Sequence, residues 1–161
     1  MVMALLFTTT TFAQDYEFEL VKDDMSGKTY YIADPLIKVD EDSNKGLRLE
    51  LFYNPNTGKA SSLYVKHLGL SNCSDEDQLI IMFEDGSRIF KRSYYSFNCE
   101  GKAMFHLTKK EVKKLKSMAI SKVRITSGNT FSSFTVELEE EERTYLVQMY
   151  TSLNRILNST N

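Results

Sequence analysis

The chain has 161 residues, a formal net charge of −2 at neutral pH, and 42% hydrophobic, 12% aromatic and 26% charged residues. That apolar content suits one folded domain with its own core and excludes a compositionally disordered chain. The near-balanced charge argues against a nucleic-acid surface, and no apolar stretch reaches the ~18–20 residues of a membrane-crossing helix.

The first residues carry a compartment signal. Met3 to Phe7 is apolar, small and hydroxylated residues follow, and Thr11-Phe12-Ala13 puts small side chains before a cut at Gln14. This reads as the tail of a secretory signal peptide. No Lys or Arg precedes Lys22, so either the leader is truncated or these residues are an ordinary apolar first strand; the leader is the reading taken. Residues 1–13 are thus expected to be signal peptide and residues 14–161 a single periplasmic or secreted domain. In an oxidising compartment Cys73 and Cys99 are expected to form a disulfide across a loop of about 27 residues.

Strands are expected at Thr29 to Ala33 and at Leu36 to Val39, separated by Asp34-Pro35 because proline removes a ladder donor. Leu47, Leu49, Leu51 and Tyr53 alternate with Arg48, Glu50 and Phe52, the period of a half-buried strand. Asn54-Pro-Asn-Thr-Gly58 is turn chemistry, and Ser62 to Leu68 returns with Leu63 and Val65 on one face. Leu79 to Phe83 is almost continuously apolar and reads as a central strand covered on both faces. Asp85-Gly86 turns it into Arg88 to Arg92.

Ala103, Phe105 and Leu107 mark a further strand. Thr108-Lys-Lys-Glu111 is a capping box that opens a helix over about 108–119, with Val112, Leu115 and Met118 on one stripe. Ile120 to Thr126 and Phe131 to Leu138 form a hairpin across Ser127-Gly-Asn129. Glu139 to Glu142 then begin a helix over about 139–157, where negative charge complements the helix dipole. Strands, a helix, a hairpin and a helix in that order give an α+β fold with a mainly antiparallel sheet and helices packed on it.

Candidate chemistry is sparse. Asp40, Asp42 and Asn44, with Gly46 behind them, resemble the first half of a calcium loop. The glycine falls one place late, and Leu51 stands where a bidentate glutamate belongs, so a solvated hairpin loop is the plainer reading. Lys91, Arg92, Tyr94, Tyr95 and Phe97 combine cations and aromatics in one strand end and its loop. Such a surface stacks on sugars or engages peptide side chains. His67 and His106 sit on separate expected strands without partners at metal-ligand spacing. No nucleophile elbow, phosphate loop or zincin motif is present, so no catalytic residue is assigned.

The run Ile81-Met-Phe-Glu-Asp-Gly86, then Asn98-Cys-Glu-Gly101, Leu107-Thr-Lys-Lys-Glu111 and Lys122-Val-Arg-Ile125, resembles small exported proteins of unknown function from Bacteroidota-type bacteria. The resemblance covers Leu79 to Leu153, implies a periplasmic or secreted setting and brings no activity or ligand residues with it. The expectation is a non-catalytic binding domain. Its partner is a protein, peptide or envelope glycan, with no nucleic acid and no membrane span. Calcium is the one cofactor considered. The alternatives are a small hydrolase using His67 or His106 and a calcium-stabilised envelope domain.

Overall fold

A computed structural model describes residues 17–23, 27–55, 61–70, 73, 75–94, 99 and 101–159. The leader-like residues 1–13 lie outside them, as does most of the turn after Asn54. The chain runs β1 (Phe18–Asp23), β2 (Lys28–Ala33), β3 (Leu36–Asp40), β4 (Lys45–Tyr53), β5 (Ser61–Leu68) and β6 (Gln78–Phe83). It continues β7 (Arg88–Arg92), β8 (Lys102–His106), α1 (Lys109–Leu115), β9 (Ile120–Thr126), β10 (Ser133–Glu137) and α2 (Tyr145–Ser159). The strands form two antiparallel sheets. One has the order β1-β2-β4-β5-β8 with β3 also on β4, and the other has the order β10-β9-β6-β7.

The alternation in β4 does what its period demands: Leu47, Leu49 and Leu51 are fully buried, and Arg48 points the other way. Along one edge β4 pairs with β5 from Gly46↔Leu68 to Tyr53↔Ser61. Its other edge is shared. β3 takes the first half (Asp40↔Lys45 to Leu36↔Leu49) and β2 the second (Ile32↔Phe52, Tyr31↔Tyr53). The break between β2 and β3 falls at Asp34-Pro35, where the missing amide cannot serve a ladder.

The second sheet corrects the expectation for Leu79 to Phe83. Leu79, Ile81 and Phe83 are buried, whereas Ile80 and Met82 are only half-covered, so β6 has one buried face. Position explains the composition. Ile80 stands between Phe90 of β7 and Arg124 of β9, and long basic side chains shield apolar surface with their stems. A bulge at Met82/Phe83 lets Ile120 and Val123 both face inward, and the extra residue, Ser121, donates to the Met82 and Phe83 carbonyls.

The capping box on α1 forms as written: the Thr108 hydroxyl accepts from the Glu111 amide, and the Glu111 carboxylate accepts from the Thr108 amide. The helix ends at Leu115, earlier than 119. Glu139 to Glu142 form turns, and α2 starts at Tyr145. Glu139 and Glu142, three apart, would repel on a helix. Here Glu142 is spent on local work instead, accepting from the Glu139 amide and from Lys38 of β3. Tyr145, Leu146, Met149, Tyr150 and Leu153 of α2 join the buried faces of both sheets in one core. The Tyr145 hydroxyl donates to the Asp34 carbonyl and so ties α2 to the β2–β3 break.

The chain crosses between the sheets after β5 and returns after β7. The Cys73–Cys99 disulfide joins these two connections, as the sequence reading expected. A buried pair stands where the chain enters the smaller sheet. His67 Nε2 lies 3.4 Å from Asp77 Oδ2, and both side chains are sealed from solvent. Asp77 also accepts from the Gly128 amide through Oδ1 and from the Ser93 amide through its carbonyl. Gly128 has no alternative here, because a Cβ would lie 1.9 Å from the Asp75 carbonyl oxygen.

Candidate functional site on the outer face of the larger sheet

Because Leu47, Leu49, Leu63, Val65, Ala103 and Phe105 face the core, their neighbours on β4, β5 and β8 project from the opposite face. Register then sets the rows. Arg48 stands opposite Lys66, and Lys66 opposite Lys102, so three cations line up across three strands. The next row is Glu50, Tyr64 and Met104, and the one after is Phe52, Ser62 and His106.

Arg48, Glu50, Tyr64, Lys66 and Lys102 line a cavity of about 240 Å³. Glu50 is its anchor. Its side chain is only 7% exposed, its Oε1 pairs with Arg48 Nε, and its Oε2 lies 3.6 Å from Lys102 Nζ. The Lys102 ammonium also sits 4.5 Å from the centre of the Tyr64 ring, within cation–π range. Lys66 is exposed and makes no ion pair with any described residue. Like charges placed directly opposite destabilise a sheet. Glu50 offsets part of that cost and leaves net positive charge in a concave site.

Aromatic side chains extend the face. Tyr30 and Phe52 have ring centres 4.9 Å apart, and Phe52 meets Tyr64 edge-on at 5.0 Å. At the His106 row the imidazole Nδ1 lies 2.8 Å from Ser62 Oγ, and the Tyr94 ring packs 4.3 Å from it. Burial, and behind it the charge of Lys91, hold the His106 imidazole below its usual 6.5.

The sequence-marked loop therefore borders this face. Tyr94 is 62% exposed and its amide donates to the Met104 carbonyl, which fixes the loop against β8. Lys91 is turned to α1, 3.2 Å from Glu111, while Arg92 is exposed. Tyr95 and Phe97 lie outside the described residues. The calcium-like segment is the β3–β4 hairpin. Asp40 accepts from the Asp42 amide and the Ser43 hydroxyl, and Asn44 takes a positive φ of 51°. Among the described residues no three His, Cys, Asp or Glu side chains converge on a metal position.

Sequence patterning marked neither the cation row nor Asp77. The alternation that buries Leu47 and Leu49 already put Arg48 and Glu50 on the other face, as Leu63 and Val65 did for Lys66. Only the register between strands brings these charges together. The chain matches no protein-family model, no curated protein and no solved structure.

Proposed function

We propose that this chain is a non-catalytic binding domain of the cell envelope or its exterior, engaging a protein, peptide or glycan partner through the outer face of the larger sheet. The observation that carries the reading is the Arg48–Lys66–Lys102 row, braced by the buried Glu50 and continued by Tyr64, Phe52 and Tyr30. Cations beside partly covered aromatic rings suit sugars and acidic side chains. Tyr94, packed on the His106 ring, forms the rim of the same face. The exported setting is supported by the Cys73–Cys99 disulfide, since such bonds persist in oxidising compartments.

The test is cross-linked capture of the tagged chain from its native envelope, run in parallel with Lys66→Glu and with Lys122→Glu on the other sheet. A stoichiometric partner held by the wild type and by Lys122→Glu, but lost by Lys66→Glu, supports the reading. Equal capture by all three overturns it.

One observation favours a hydrolase as the second reading: the Ser62 hydroxyl lies 2.8 Å from Nδ1 of the His106 imidazole. That is the nucleophile–base contact of acyl transfer. His67 offers no such route, because it and Asp77 are closed to solvent. Covalent labelling of Ser62 by a fluorophosphonate, lost in His106→Ala, would establish it. An unlabelled wild type would end it.

A further inference from the structure

We infer that the cavity beneath the cation row holds a doubly charged anionic group, a phosphate monoester, borne at the end of a larger polar ligand. The inference rests on the reading of that face as the partner surface and names the chemistry it recognises.

Charge comes first. Among the described residues three cations and one carboxylate line the cavity, a surplus of two positive charges. A single carboxylate would neutralise one of them. A phosphate monoester carries about −1.5 to −2 at neutral pH and matches both.

Geometry agrees. Glu50 occupies Arg48 through Nε, leaving the two terminal nitrogens of the guanidinium, the ones suited to paired phosphate oxygens. Its other oxygen lies near Lys102, whose ammonium also rests by the Tyr64 ring. Two of the three cations are thus held in place before any ligand arrives, which lowers the ordering cost of binding. Lys66, exposed and unpaired among the described residues, is the cation left to close on the anion.

Size sets the extent of the ligand. A cavity of about 240 Å³ falls below the roughly 300–1,000 Å³ that encloses a whole drug-sized molecule. It takes one end group. The remainder of the ligand lies along the Tyr64, Phe52 and Tyr30 rings.

The experiment is calorimetric titration of the full chain at low salt with glucose 6-phosphate, inorganic phosphate and glucose. Lys66→Gln is the test variant and Lys122→Gln the control. The expected result is binding of glucose 6-phosphate but not glucose, weakened about tenfold by Lys66→Gln, unchanged by Lys122→Gln and reduced by added salt. Glucose 6-phosphate binding more tightly than inorganic phosphate supports an end group on a larger frame; equal affinities overturn that part and leave a free-anion site. No binding of either phosphate at about 10 mM, or equal affinities in wild type and Lys66→Gln, overturns the inference. Should phosphate fail while Lys66→Glu still abolishes partner capture, the anion assignment falls and the partner surface stands. The reverse pattern retains the phosphate site and removes the partner reading.

Discussion

His67 and Asp77 face each other at 3.4 Å with no solvent access, where the chain leaves the larger sheet and enters the smaller one. The His67 amide donates to the Gly101 carbonyl at the return crossing, and the Asp77 carboxylate accepts from the Gly128 amide. The pair thus fastens both crossings and the β9–β10 turn. Removing Asp77 leaves the buried Gly128 amide without its acceptor, a loss of about 1–3 kcal/mol.

Asp77→Ala is expected to lower the unfolding free energy by an amount in that range. Asp77→Asn, which keeps an acceptor for Gly128, is expected to lose less. Denaturation curves for the two variants check this, and an Asp77→Ala midpoint equal to wild type would show that the pair fastens nothing.

The Arg48–Lys66–Lys102 row makes a prediction of the opposite sign. Relieving like charges placed opposite one another stabilises a sheet by about 0.2–1 kcal/mol. Lys66→Gln should therefore raise the melting temperature at low salt while weakening partner binding, and the gain should shrink as salt screens the row. Thermal melts at two ionic strengths read it. A destabilised variant would mean that Lys66 serves the fold.

The disulfide closes a long loop between the two crossings. Loop-closure entropy assigns such a link about 3.5 kcal/mol. A Cys73→Ser/Cys99→Ser double variant is expected to lose stability of that order, and wild type in excess reductant should match it in the same denaturation assay.

His106 supplies the pH dependence. Burial first, and Lys91 second, depress its folded value below 6.5. The unfolded chain therefore binds the proton more readily than the folded one. Folded stability is highest above the unfolded value and declines as pH falls from 6.5 through the lower folded value. NMR titration of the imidazole should give a midpoint below 6.5, and Lys91→Met should move it upward. A midpoint at or above 6.5 would contradict the packing described for Ser62 and Tyr94.

Local chemistry wrote much of this fold into the sequence. The leucine alternation of β4, the Thr108–Glu111 capping box, the Asp85-Gly86 hairpin and the cysteine pair are each decided by neighbours within a few positions or by compartment. β1 escaped notice because it is a sheet edge, with Leu20 exposed and no clean alternation. The α2 boundary was hidden by Glu142, whose carboxylate goes to Lys38 on β3, a contact no helix-dipole argument contains. The cation row is illegible for a related reason. Arg48, Lys66 and Lys102 become neighbours only through two strand registers, which no pattern along one strand displays.

The central claim is that the cavity under the Arg48–Lys66–Lys102 row, on the outer face of the larger sheet, takes the phosphate end of a ligand. Backbone amide chemical-shift mapping of the isotope-labelled chain during titration with glucose 6-phosphate tests it most directly. The account predicts shifts gathered at Arg48, Glu50, Tyr64, Lys66 and Lys102, fading along Phe52 and Tyr30. Shifts confined to Lys91, Arg92 and Tyr94, or no shifts anywhere, would contradict it.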